Sequence, residues 1–246
     1  MMKTIAFATR NSKELVRDKL SLIFGIGFPV ILLLLLTAIQ SNVPVELFVI
    51  DQLAPGIAVF GLSFISLFSG LLIAKDRTSS FILRLFISPL TSSNFIFGYT
   101  FPLLPMAILQ IIVCFAVSFV LGLTVSINVL LAIIVLIPAA ILFIGIGLLF
   151  GSLFTDKQVG SVCGALLTNL TAWLSGTWFD LDLVGGLFKK IAELLPFVHA
   201  VEAGRAAISG DYSAVLPHLW WVIGYAVVVM YIAIIVFTKK MSSNNN

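Results

Sequence analysis

Residues 128–153 read NVLLAIIVLIPAAILFIGIGLLFGSL, without a single Asp, Glu, Lys, Arg or His, and the charge-free stretch around them runs from Leu85 to Thr155. About 20 apolar residues are enough to carry a helix across the hydrocarbon core of a bilayer. A surface helix of a soluble protein keeps a polar face for water, and this stretch has none. The chain is therefore read as an integral membrane protein. Composition agrees, with 60% hydrophobic and 10% charged residues and a mean hydropathy of +1.16, where soluble domains carry about 25% charged residues.

Outward from that stretch, apolar runs bounded by charge or turn residues predict six membrane-spanning helices, near 21–39, 54–74, 98–121, 128–153, 158–178 and 218–238. The expected fold is all-α: an N-terminal interfacial helix over 1–20, a six-span transmembrane domain over 21–238 and a tail over 239–246. Lys3, Arg10, Lys13, Arg17 and Lys19 precede the first span, Lys75, Arg77 and Arg84 fall between spans two and three, Lys157 lies between four and five, and Lys239 and Lys240 follow the last. The 40–53 connection and the one after span three hold no Lys or Arg. By the positive-inside rule both termini face the cytoplasm. The connection 179–217 breaks the pattern with Lys189, Lys190 and Arg205, accompanied by Asp180, Asp182, Glu193 and Glu202.

That connection has its own structure. Leu183, Leu187, Ile191 and Leu194 share one helical face opposite Lys189 and Glu193, which predicts a helix lying at the membrane interface. Pro196 interrupts it, and a second short helix from about Val198 to Ser209 is expected to end at Gly210. At the other end of the chain, Ile5, Phe7, Leu15, Val16 and Leu20 alternate with both signs of charge, as in an interfacial helix. This region does not read as a cleaved signal, because Glu14 and Asp18 interrupt its positive charge and no A-x-A site follows the apolar run. The two halves share no sequence repeat, so any symmetry must come from a second subunit.

The spans lack the chemistry of several function classes. None has an ionisable residue in its central region, whereas ion-coupled carriers work through such groups. Intramembrane metalloprotease chemistry needs a motif such as H-E-x-x-H, and the only histidines, His199 and His218, lie outside the span interiors. Gly61-Leu62-Ser63-Phe64 starts like a nucleophile elbow but lacks its second glycine. There is no G-x-x-x-x-G-K-[ST] phosphate loop, so any ATP power must come from another polypeptide. Cys114 and Cys163 sit inside apolar runs as small core residues. The net charge of +3 is confined to connecting segments, which marks topology and not nucleic-acid binding.

The spans hold instead small residues at helical spacing: Gly147 and Gly151, Gly160 and Gly164, and Ser63, Ser66 and Ser69. Close helix packing is the favoured reading, with substrate contact as the alternative. Pro29, Pro102, Pro105 and Pro138 should bend or break their spans. Gln110 and Asn169 read as interhelical hydrogen-bonding groups. Phe24, Phe28, Ser63, Ser66, Asn169 and Trp173 are the candidates for a path taken by a hydrophobic or amphipathic molecule.

The most specific segment runs from Lys75 to Leu90, KDRTSSFILRLFISPL. Phe81, Ile82, Leu85 and Phe86 recur at helical spacing among charges and the run ends at Ser88-Pro89, which predicts a short amphipathic helix on the inner face. The segment resembles the cytoplasmic loop of ABC-2 type (type V) exporter permeases, where a pattern close to E-R-E-x-G-T-L-E-x-L-x-x-[ST]-P-[LI] follows the second span. Asp76 and Arg77 take its first two positions, Ile82 and Leu85 its apolar ones, and Ser88, Pro89 and Leu90 its ending. Thr78 replaces the second acid and Ser80 the glycine. Downstream, Leu195-Pro196, Arg205 and Gly210 are similar to the family's L-P, Arg and Gly pattern before the last span.

The resemblance implies a transport subunit without its own ATPase or cofactor, with ATP and magnesium bound on two separate ATPase subunits. It implies a second permease copy or paralogue as partner, a bacterial cytoplasmic membrane as location, and export of a drug, antimicrobial peptide or lipid-like compound. Lys75, Asp76, Arg77, Phe81, Ile82, Arg84, Leu85 and Pro89 would form the coupling surface for the ATPase, and spans one, two and five would meet their counterparts across a dimer axis. Two other classes remain open at this point: an ATP-independent carrier or channel, and a non-transporting immunity or structural protein.

Overall fold

A computed structural model describes residues 2–78 and 91–243, and among them all regular secondary structure is helical, with no strand. Helix α1 (Met2–Arg17) leads into α2 (Lys19–Gln40), α3 (Ile50–Thr78), α4 (Ser92–Val120) and α5 (Ile127–Leu153). A helical run over 156–174, α6, joins Asp156–Val159, a π-helical stretch Gly160–Leu167 and Thr168–Leu174. Three shorter helices, α7 (Leu181–Val184), α8 (Gly186–Leu194) and α9 (Pro196–Ser209), precede α10 (Tyr212–Ser243).

Five of these, α2, α3, α4, α5 and α10, are long and apolar enough to cross a membrane. The remaining expected span, 158–178, coincides with α6, which is more polar because Lys157, Gln158, Thr168, Asn169 and Thr171 dilute it. Its position supplies what its hydropathy lacks. Val159 and Cys163 pack with Ala74 near one end of α3, Gly164 lies against Leu67, and beyond its other end Trp178 meets Phe60, with ring centroids 5.5 Å apart. The run thus follows α3 through the depth that α3 spans.

Helix α3 is the axis of the bundle. Of its most apolar stretch 83% is buried inside the chain, against 22% for α2 and 17% for α10. Its closest seam is with α5, where a Cβ on Gly147 would strike the Ser66 backbone oxygen and one on Gly151 the Gly70 oxygen. Only glycine allows that approach, which in lipid is how helices gain packing energy. The Gly147–Gly151 spacing on α5 and the Ser66–Ser69 spacing on α3 are therefore a packing seam, whereas Gly160 meets nothing within 4 Å. Gln110 on α4 is fully buried and reaches the Ala58 carbonyl of α3 at 3.4 Å, an interhelical bond as expected. Asn169 bonds instead within its own helix, to the Ala165 carbonyl at 2.8 Å.

The prolines act unevenly. Pro29 follows a π-helical stretch, Ile23–Gly27, and Pro138 follows a break at Leu136, whereas α4 is continuous through Pro102 and Pro105. At the wide turn the chain accommodates the carbonyl that Pro29, having no N–H, cannot satisfy.

The connection before α10 forms three short helices, not the two that the periodicity predicts, because the chain breaks at Gly185 and Gly186, with φ +59° and +57°. On α7 and α8, Leu183, Leu187, Ile191 and Leu194 are all exposed, an apolar face turned away from the bundle. Helix α9 is buried between α3, α5 and α10. It ends at Gly210 with φ +79°, a left-handed cap that favours glycine. The two chain ends meet at the opposite end of the bundle, where Phe7 of α1 and Phe237 of α10 both lie against Phe95.

Candidate functional site

The end of α3 that leads into segment 79–90 is bound into the bundle by two adjacent residues. Asp76 is 2% exposed, far from the solvated position its sequence context predicts. Arg10 of α1 donates to both of its oxygens, at 2.6 and 2.8 Å, and the Tyr99 hydroxyl of α4 donates a third bond at 2.8 Å. A buried carboxylate costs several kcal/mol of desolvation unless it is paired and its lone pairs are filled, and this one has both. Arg10 also pairs with Glu14, 2.7 Å away. Burial works against the Arg10 charge, but the bond and field of Asp76 outweigh it and hold its pKa above the ordinary value. Glu14 is pushed up by its burial, against the pull of Arg10.

Packing repeats the same connection. Phe7 stands edge-on to Tyr99 with centroids 4.9 Å apart, and a Cβ on Gly98 would collide with its ring. Asn11, fully buried, donates to the Gly98 carbonyl at 3.1 Å. Helix α1 is thus wedged against α4 and latched to α3.

Arg77 turns the other way, donating to the Gly151 carbonyl at 2.7 Å and the Phe154 carbonyl at 3.3 Å. These are C-terminal carbonyls of α5, which lack partners within the helix and carry its negative dipole end. Asp76 and Arg77 therefore spend their polar atoms inside the chain, while Lys75 is exposed beside them. The other expected coupling residues, Phe81, Ile82, Arg84, Leu85 and Pro89, lie outside the described residues.

At the opposite end, Arg205 on α9 joins three elements. It donates to the Gln52 carbonyl of α3 at 3.1 Å, the Gly176 carbonyl after α6 at 2.8 Å and the Glu202 carboxylate at 2.7 Å. It lines a polar cavity of about 590 Å³ with Glu46, Gln52, Thr177, Asp180, Asp182, Lys189, Glu193 and Glu202 among its walls. Pro196 is the buried first residue of α9 and Gly210 its cap, so the downstream motif marks the two ends of one helix.

The six path candidates are not brought together. Phe24, Asn169 and Trp173 are exposed on α2 and α6, Phe28 is half-buried against the Phe64 ring 5.2 Å away, and Ser63 and Ser66 are buried in the interior. Ser63 gives its hydroxyl to the Phe60 carbonyl at 2.7 Å.

The family model of the ABC-2 type transporter matches residues 2–209, which takes in the α1 latch, the root of segment 79–90 and all of α9. The chain belongs to that family. No individual curated protein matches it. As an ABC-2 permease it is a multi-pass membrane component of an ABC transporter. Sequence reasoning reached the family through segment 75–90 and the α9 motif. It missed Arg10, Asn11 and Tyr99, because their partners lie on other helices and nothing in local spacing signals them.

Proposed function

We propose that this permease exports a hydrophobic or amphipathic compound from the cytoplasm, powered by two separately encoded ATPase subunits that bind ATP and magnesium. It works beside a second permease copy or paralogue in a bacterial cytoplasmic membrane, with both termini cytoplasmic. The observation carrying this reading is the double anchorage at the end of α3. A push on segment 79–90 reaches α1 and α4 through Asp76 and α5 through Arg77. Elements tied this way move together, as transmission of an ATPase stroke requires. Lys75, Phe81, Ile82, Arg84, Leu85 and Pro89 form the docking surface in this scheme, with Asp76 and Arg77 as its fixed root.

The uncharged span interiors support external power, since an ion-driven carrier needs ionisable groups there. The exposed Phe24, Asn169 and Trp173 suit a path shared with the partner permease, and the polar cavity around Arg205 suits its exit. Vesicles holding permease and ATPase subunits should move a fluorescent amphipathic probe on addition of ATP and magnesium. Transport driven by an ion gradient, with no ATPase subunit present, would overturn the proposal.

A further inference from the structure

His199 near the start of α9 and His218 in the first turns of α10 face each other, Nδ1 to Nδ1, at 2.8 Å. Their ring centroids are 5.1 Å apart, about one nitrogen-to-centroid length more at each end, so the rings are head-on and the two nitrogens aim at one another. Such a line holds one proton. Lone pairs that oppose each other leave no common point for a metal ion, and among the described residues no group of three His, Cys, Asp or Glu surrounds the pair.

The chain fixes which proton is there. His199 Nε2 is 2.9 Å from the Glu193 backbone carbonyl, which can only accept, so Nε2 carries hydrogen. A neutral His199 then offers Nδ1 as acceptor and His218 donates. His199 is held in place by the Trp221 indole stacked over it, with centroids 5.1 Å apart and planes 10° apart. A proton added to His199 Nδ1 sets two N–H groups against each other along that line.

We propose that this pair is a proton-operated clasp between α9 and α10, closed while one proton lies on the line and opened by acid. The charged groups facing His199 are Glu193 on α8, Glu202 on its own helix and His218 on α10. The two carboxylates favour its cation, but burial first and His218 with it outweigh them and lower its pKa. Opening therefore belongs below the ordinary histidine range. Because α9 also carries Arg205, release of its first turn frees the element that ties the start of α3 to Gly176. The inference stands apart from the direction and cargo of transport.

Hydrogen exchange followed by mass spectrometry on the permease in lipid nanodiscs tests it. After correction for intrinsic rates, peptides covering 196–203 and 214–222 should gain exchange as pH falls below the ordinary histidine range, by up to about tenfold per pH unit while opening is proton-limited. Segment 102–112 of α4 should not change. His218→Asn, whose amide can donate to His199 Nδ1 and, turned over, accept from it once it is protonated, should flatten the profile. A wild-type profile that is flat between pH 5 and 7.5, or an acid rise retained in His218→Asn, overturns the clasp.

Discussion

Arg10 holds Asp76 from 66 residues away with both terminal nitrogens, at 2.6 and 2.8 Å, and thereby locks the N-terminal helix to the cytoplasmic root of the coupling segment in the proposed topology. Removing the guanidinium takes two charge-assisted bonds from a buried carboxylate. Arg10→Ala should therefore cost about 2–3 kcal/mol, the lower part of the range for a broken buried pair because Arg10 is itself partly exposed. Arg10→Lys keeps the charge and loses the fork, so it should fall between. The double variant Arg10→Ala with Asp76→Asn should recover part of the loss. Unfolding midpoints in detergent check the order, and equal midpoints for the single and wild-type proteins would refute it.

The seam between α3 and α5 predicts a contrast between glycines of similar sequence context. Gly147→Ala drives a methyl into the Ser66 backbone oxygen and should cost about 1–3 kcal/mol, since backbone cannot yield as a side chain can. Gly160→Ala meets nothing within 4 Å and should stay within about 0.5 kcal/mol of wild type. The same melting assay separates them, and a Gly147→Ala protein as stable as Gly160→Ala would show that the helices can part at no cost.

Acid should loosen the entry to α2 by a separate route. Burial alone raises the Asp18 carboxyl pKa, but bonds from the Ser21 hydroxyl at 2.8 Å and amide at 3.2 Å, with the field of Lys75, outweigh it and hold the pKa below the ordinary value. A depressed carboxylate stabilises above its unfolded pKa of about 3.9 and loses that contribution as pH falls through the folded value. Asp18→Ala should cost about 1 kcal/mol at pH 7 and less as the carboxyl is protonated. Melting curves at pH 7 and pH 3 measure the difference, which should narrow in acid.

Arg205 supplies a fourth expectation. Arg205→Ala takes a bond from the Gln52 and Gly176 carbonyls together and should lower stability by about 1–3 kcal/mol, and Arg205→Lys should rescue little because one ammonium cannot span both. ATP-driven turnover should fall alongside. Full turnover in Arg205→Ala would remove α9 from the working parts.

The architecture was legible because apolar runs and their flanking charges need no long-range information: 128–153, the other long spans and the α9 stop at Gly210 all follow from local pattern. The coupling segment was legible as a motif, yet its first two residues were misjudged as surface contacts. Asp76 and Arg77 look like solvated charges in a connecting loop until Arg10, Tyr99 and the end of α5 are brought beside them. Those contacts lie 23 to 77 positions away along the sequence, and the placing of Ser66 against Gly147 depends on a partner farther off still. The π-helical stretches before Pro29 and within α6, and the pairing of His199 with His218, depend likewise on neighbours that periodicity does not reveal.

The central claim is that a separate ATPase docks on segment 79–90 and drives the spans from there. Since Arg77 is tied to α5, its substitution would confound docking with folding, and the direct test leaves it in place. Co-purification of the ATPase subunit with wild type and with a Phe81→Ser, Arg84→Glu, Leu85→Ser variant of matching melting temperature decides the matter. The account predicts that wild type retains the ATPase and the variant loses it. A correctly folded variant that still brings down the ATPase in full would contradict it.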